Sequence, residues 1–233
     1  LDMRFSFDNF VVGSSNQLAY AAAKGVVDAP GTKHNPLFLW GGVGVGKTHL
    51  MHAVGQELLG KGLNVQAATS EQFTNELVTT IRNKNVDEFK KKYRNLDVLL
   101  IDDIQFFAGK ESSQEEFFHT FNELYSKGAQ IVLTSDRKPQ DIEDVEDRLI
   151  SRFLGGLTVD ISLPDWEMRL AILKQKCNEL KVDYEPGALD IIATSTNTNA
   201  RELEGILTRI INIAEMETGA VTKNLVEREI GVE

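Results

Sequence analysis

The stretch Pro36-Leu37-Phe38-Leu39-Trp40-Gly41-Gly42-Val43-Gly44-Val45-Gly46-Lys47-Thr48-His49-Leu50 joins three textures in one short span. A short apolar run ends on glycines. Gly41, four residues, Gly46, Lys47 and Thr48 then match the spacing G-x-x-x-x-G-K-[ST]. The continuation, THLMHAVGQELL, has apolar residues at helical spacing. Strand, loop and helix in that order give each residue type a task. Glycines let the backbone turn its N–H groups inward around phosphate oxygens. The helix N-terminus adds partial positive charge. Lys47 is placed for the β and γ phosphates of ATP, and the Thr48 hydroxyl for Mg2+. The stretch therefore predicts an α/β P-loop fold whose ligands are ATP or ADP with Mg2+.

Working outward, further short apolar runs recur: Asn64–Thr69, Asp97–Asp102, Ala129–Ser135 and Leu157–Ser162. Helix-like segments separate them, which predicts a parallel five-stranded sheet sandwiched by helices. The run VLLIDD ends in Asp102 and Asp103. A P-loop needs an acidic strand end for its metal, so Asp102 is assigned to the Mg2+ shell. Asp103 is then placed to orient or deprotonate the attacking water. Thr134, Ser135 and Asp136 end the next run, at the end of an open α/β sheet where ligands bind. They read either as a γ-phosphate sensor or as a turn or cap. One helix start is marked by Ser112-Ser113-Gln114-Glu115, with Ser112 as cap and Glu115 reaching back, and its stop by Gly128. His49 and His52 stand three apart with no further metal ligand in view, which favours a structural or surface role.

After Pro164 the texture changes, and no strand is expected from Asp165 onward. Residues 1–163 are expected to form the α/β core and 164–233 a small all-helical domain. The chain has 233 residues, 42% hydrophobic and 26% charged, which is ordinary for a globular protein. It carries 25 basic and 35 acidic residues, a net charge of −10, so any nucleic-acid contact must use a local patch. The one candidate is Ile81–Asn95, with Arg82, Lys84, Lys90, Lys91, Lys92 and Arg94 against Asp87 and Glu88; the other reading is a solvated helical face. The single cysteine, Cys177, reads as a packing residue. It excludes an internal disulfide and fits a reducing, cytoplasmic setting. No run of about 18 apolar residues implies a membrane span.

VEDRLISRF, from Val145 to Phe153, places Arg148 and Arg152 four apart on one expected helical face. Like charges at that spacing repel. Asp144, four residues before Arg148, is the expected partner for that residue, leaving Arg152 for an anion elsewhere.

The order of strand, P-loop, LLIDD, LTSD, VEDRLISRF and a helical satellite resembles an AAA+ ATPase. FSFDNFVVGSSNQLA, NPLFLWGGVGVGKTHLMHAVG, LLIDDIQFFAGKESSQEEFFHTFNEL and NARELEGIL bring the resemblance, over nearly the whole chain, to the bacterial replication initiator family, DnaA. The resemblance implies a slow, switch-like ATPase that assembles head to tail in its ATP state and binds single-stranded DNA. It implies nucleotide contacts from Phe10, Val11 and Val12 at the adenine. It implies others from Gly42, Gly44, Val45, Gly46, Lys47, Thr48 and His49 around the phosphates. Asp136 takes the sensor 1 position and Arg201 the sensor 2 position. Arg152 matches the arginine finger offered to a neighbour's ATP, and Arg148 a second interface arginine. Residues 71–95 match a helical insertion that contacts single-stranded DNA, with Val78, Arg82, Lys84 and Lys90 as candidates. Val78 reads equally as a core contact. Most AAA+ proteins carry Glu where this chain has Asp103, a departure the family shares. The family's partner-binding and helix-turn-helix domains have no counterpart in these residues, so a fragment is expected, and recognition of duplex origin DNA is expected to need the missing domain. The alternative reading is a helicase-loader-type or other AAA+ remodelling ATPase.

Overall fold

The five apolar runs become β1 (Leu37–Trp40), β2 (Val65–Thr69), β3 (Val98–Asp102), β4 (Gln130–Ser135) and β5 (Leu157–Asp160). They form one five-stranded parallel sheet, as the sequence predicts, and its strand order is β2-β3-β4-β1-β5. β3 and β4 are buried along their whole length, so they read as continuous apolar runs. In this computed structural model, which describes residues 1–231, the chain divides into two units. One comprises residues 1–10, 18–42 and 47–161; the other comprises 11–17, 43–46 and the chain from Ser162 onward.

Helix α1 (Gln17–Asp28), which lies in the first unit from Leu18 onward, precedes β1, and α2 (Lys47–Gly60) carries the chain from β1 to the sheet edge at β2. The chain returns through β3 and then inserts β4 between β3 and β1. Leu39 pairs with Thr134 and Ile101 with Leu133, so β1, β3 and β4 finish at nearly one level. Their polar end residues are neighbours for that reason.

Between β2 and β3 lie α3 (Ser70–Arg82) and α4 (Val86–Arg94). A capping box starts α3: Thr69 accepts from Gln72 N–H, and the Gln72 side chain accepts from Thr69 N–H. The stretch Thr69-Ser70-Glu71-Gln72 carries this signal in the sequence itself. α3 buries Ser70, Phe73 and Leu77 along one stripe. The Phe73 ring lies 4.9–5.8 Å from the rings of Phe89, Tyr93, Phe107 and Phe117. The α3–α4 pair is thus welded to the first unit's core. Phe73→Ala should cost about 3–5 kcal/mol in urea-unfolding stability, since a fully buried ring leaves a cavity. A loss below about 1 kcal/mol would show that the cluster repacks freely.

Helix α5 (Glu111–Ser126) corrects the expected cap. Its N-cap position is Lys110, and Ser112 makes no capping bond. The chain enters from the 3-10 turn Ile104–Phe107, where the Phe107 carbonyl already accepts Lys110 N–H at 2.9 Å. The helix therefore begins before the serines. Gln114 secures this end: its Nε2 donates to the carbonyls of Phe107 and Asp144, and its Oε1 accepts Glu146 N–H. Gly128, at φ +79°, ends the segment as expected. Helix α6 (Asp147–Phe153) leads to β5.

The second unit carries α7 (Trp166–Leu180), α8 (Ala188–Ser195), α9 (Ala200–Glu217) and α10 (Lys223–Ile230). Side chains of Asp165, Asn199 and Thr222 cap α7, α9 and α10. Leu173, Cys177, Ile192, Leu203, Leu207 and Val226 form its core. Cys177 is fully buried, and burial pushes its thiol up, away from reactivity. The expectation of no strand here needs correction. Asp183–Tyr184 (β6) and Ala220–Val221 (β7) make a two-residue parallel pair, too short to leave a period in the sequence. Residues 232 and 233 of the expected helical domain lie outside the described residues.

Candidate nucleotide site and its neighbouring surfaces

The phosphate loop needs its glycines for backbone reasons. Gly44 and Gly46 have φ +74° and +113°. A Cβ on Gly44 would also come within 2.5 Å of Asn199 Oδ1 and 2.8 Å of Arg201 Cβ. Arg201 stands in the first turn of α9, exposed, and its N–H donates to the Gly44 carbonyl at 3.2 Å. Lys47 opens α2. Its buried ammonium donates to the carbonyls of Gly41 at 2.5 Å and Gly42 at 2.8 Å.

The acidic pair is organised by hydroxyls. Thr48 donates to Asp102 Oδ2 at 2.8 Å, and Thr134 donates to Asp102 Oδ1. Thr134 also accepts Asp103 N–H at 2.9 Å. It is fully buried and reaches both acids because β4 lies between β1 and β3. The sequence names Thr134, Ser135 and Asp136 together as polar groups at this strand end, and the resemblance picks out Asp136 alone; it is Thr134 that touches both acids. The missing information was which strand lies beside the acidic pair. A carboxylate and a hydroxyl in direct contact are donors suited to Mg2+, which takes one or two carboxylates plus substrate phosphates and waters. No group of three or more His, Cys, Asp or Glu gathers for a metal among the described residues, and such a cation does not need one.

Asp103 sits just past β3 with φ +59°. Burial, and then the Asp102 charge, push its carboxyl above the ordinary range. Asp136 is held below that range, chiefly by Arg137, whose guanidinium donates to both carboxylate oxygens at 2.8 and 3.0 Å.

The histidines have structural partners. His49 Nε2 lies 2.7 Å from the Ser6 carbonyl and 2.9 Å from Asn9 Oδ1. His52 Nδ1 accepts Asp2 N–H at 3.0 Å, and burial lowers its pKa. Gln56 Nε2 donates to the Asp2 and Phe5 carbonyls. One face of α2 therefore pins the N-terminal segment that ends in Phe10. The Phe10 ring stacks on Tyr20, with centroids 6.1 Å apart, and meets His49 edge-on. Val11 and Val12 belong to the second unit, where Val11 packs on the helical core and Val12 is exposed.

Arg148 and Arg152 do share a face of α6, but Asp144 is not the partner of Arg148. Asp144 has φ +54° and precedes the helix start, and its carbonyl accepts Gly109 N–H. Glu146 takes the role instead, with its Oε2 2.6 Å from Arg148 Nε. Both guanidiniums lie against the Phe118 ring, at 4.3 Å for Arg148 and 5.7 Å for Arg152. Arg152 is exposed and makes no ion pair among the described residues.

On the insertion, Val78 is 48% exposed, which rules out the core reading. Arg82 and Lys84 are exposed and Lys90 is half-buried. The basic run is smaller than its composition suggests. Lys92 pairs with Glu76 at 2.9 Å, and Arg94 with Glu116 at 2.8 Å and Glu123 at 3.3 Å.

Comparisons with known proteins bear on this geometry. The family model described as the bacterial DnaA ATPase domain matches residues 1–160. The chromosomal replication initiator protein DnaA of Lactiplantibacillus plantarum is 51% identical over 228 residues, covering 97% of this chain and 50% of the relative. The chain thus spans about half the length of the curated relatives it matches. Domain III of the Thermotoga maritima replication initiation protein DnaA superposes with a TM-score of 0.94 at 39% identity, over 99% of this chain and 97% of that one. A replication initiator DnaA bound to AMPPCP and single-stranded DNA gives a TM-score of 0.85 at 38% identity, over 93% of this chain and 70% of that one. The chain belongs to the bacterial DnaA ATPase domain family, with the AAA+ P-loop fold that its parallel sheet and phosphate loop display.

Proposed function

We propose that the chain is the ATP-switched core of a replication initiator: it binds ATP, hydrolyses it slowly, assembles head to tail in the ATP state and binds single-stranded DNA during origin opening. The observation that carries the nucleotide reading is the hydrogen-bonded set Thr48, Asp102, Thr134 and Asp103, together with Lys47 held by the carbonyls of the phosphate loop. Residues 1–163 act as the nucleotide-binding core, with the insertion at about 71–95, and residues 164–233 as the lid domain. The work is cytoplasmic. In the full-length protein, duplex origin DNA is bound through a domain outside this chain.

Lys47 and the amides of Gly42, Gly44, Val45 and Gly46 bind the phosphates, and the helix N-terminus at Thr48 and His49 completes their surroundings. Phe10, Val11 and Val12 hold the adenine. Thr48 and Asp102 hold Mg2+, which when bound neutralises charge on the β and γ phosphates. Asp103 orients the attacking water and accepts its proton. Burial pushes its carboxyl above the ordinary range, the direction that favours taking up a proton. Asp136 and Arg201 sense the γ-phosphate from within the same chain. Arg152, with Arg148 beside it, reaches the ATP of the next copy. In support, a solved DnaA structure at 38% identity holds AMPPCP and single-stranded DNA together.

Val78, Arg82, Lys84 and Lys90 form the DNA face. Phosphate-tracking cations give binding that weakens with salt and tolerates sequence. Fluorescent oligo(dT) titrated with ATP-loaded and ADP-loaded chain should bind several-fold more tightly in the ATP state, and Arg82→Ala with Lys84→Ala should remove most of that gain. Equal, weak binding in both nucleotide states would rule out the switch.

A further inference from the structure

Asp103 is a non-glycine residue in the left-handed region, at φ +59°. Such a residue persists only where its surroundings over-determine it. Three contacts do so here. Thr134 Oγ1 accepts the Asp103 N–H at 2.9 Å. Ser70, fully buried at the start of α3, donates its hydroxyl to the Asp103 carbonyl at 2.6 Å. Those two fix the peptide at both ends. The carboxylate has a separate holder: Gln105 Nε2 lies 3.4 Å from Asp103 Oδ1. The other end of the same amide, Oε1, accepts the Asp136 N–H at 3.3 Å.

We propose that Gln105 is a positioning residue for ATP hydrolysis, holding the Asp103 carboxylate in register with the end of β4. The inference rests on the reading of Asp103 as the group that aligns the water. Only one orientation of the Gln105 amide satisfies both partners. The nitrogen must face the carboxylate, which has only acceptors, and the oxygen must face an N–H. The amide therefore measures the separation between the residue after β3 and the residue after β4. Both contacts are long for hydrogen bonds, and bonds of this kind tighten when the site closes on its substrate. Gln105 lies in the 3-10 turn Ile104–Phe107, whose Ile104 and Phe107 are buried, so its backbone is anchored while its side chain spans the gap. It need not touch nucleotide to act. Its contribution is the direction in which the carboxylate points.

The test uses the 233-residue chain loaded with ATP and Mg2+ and followed through a single turnover. Gln105→Met keeps the length and removes both polar ends. The hydrolysis rate should fall on the order of tenfold, with ATP and ADP affinities held within about twofold and the melting temperature little changed. Gln105→Glu keeps the acceptor for Asp136 but places a like charge at Asp103, and should lose at least as much. On an Asp103→Asn background, Gln105→Met should cause no further loss, because there is no longer a carboxylate to direct. A wild-type rate for Gln105→Glu, or an equal loss from Gln105→Met with and without the Asp103 carboxylate, would overturn the inference alone. An Asp103→Asn chain that hydrolyses ATP normally would overturn the reading of Asp103 and this inference with it.

Discussion

Lys47→Ala is expected to lower ATP affinity by at least about a hundredfold. A lysine on the β and γ phosphates supplies two charge-assisted hydrogen bonds, each worth about 1.5–3 kcal/mol, and every 1.4 kcal/mol is tenfold. Its position leaves little room for a substitute. The side chain is buried at the start of α2 and its ammonium is aimed by the carbonyls of Gly41 and Gly42. Equilibrium titration with a fluorescent ATP analogue measures the loss, and circular dichroism melting separates it from unfolding. Affinity within about threefold of the parent would contradict the phosphate-loop reading at its centre.

The second large effect is expected at Arg152. Arg152→Ala should leave ATP affinity intact while lowering hydrolysis by about a thousandfold and abolishing ATP-dependent assembly, the scale of a finger supplied in trans. The structure suits that role. Arg152 is exposed on α6, and its guanidinium rests 5.7 Å from the Phe118 ring centroid on α5. That aromatic shelf, with Glu146 on Arg148, eases the repulsion of two like charges one turn apart. Mixing makes the test specific. A Lys47→Ala chain binds little ATP but keeps its arginine; an Arg152→Ala chain keeps its nucleotide and lacks the arginine. Equal parts of the two should recover hydrolysis that neither shows alone. No recovery, or normal hydrolysis by Arg152→Ala alone, would mean that Arg152 does not act on a neighbour.

The part of the site read without a structure is the part built from contiguous residues. Strand, glycine turn, Lys47 and Thr48 follow one another, so their geometry is set by local backbone preferences. The end of the VLLIDD run was legible for the same reason. Thr134 was legible only as one of three polar groups ending its run; its contact with both acids was not, because it depends on β4 lying between the two strands that carry the loop and the acids. Nor was the partner of Arg148: a four-residue spacing pointed to Asp144, but the helix starts only at Asp147. The Ser112 cap failed similarly, since the preceding 3-10 turn had already committed the backbone.

The basic insertion shows the same division in charge. Its composition names six cations between Ile81 and Asn95. Glu76, Glu116 and Glu123 then claim Lys92 and Arg94 through contacts 16 to 29 residues apart in the chain, leaving Arg82, Lys84, Lys90 and Lys91. By itself the sequence determined the α/β class, the phosphate loop and the acidic strand end, because periodicity and backbone chemistry act between near neighbours. Only the tertiary structure decided which polar groups are already satisfied and which are left for a ligand. That balance depends on strand order and on packing between elements distant in the chain, where spacing along the sequence carries no information.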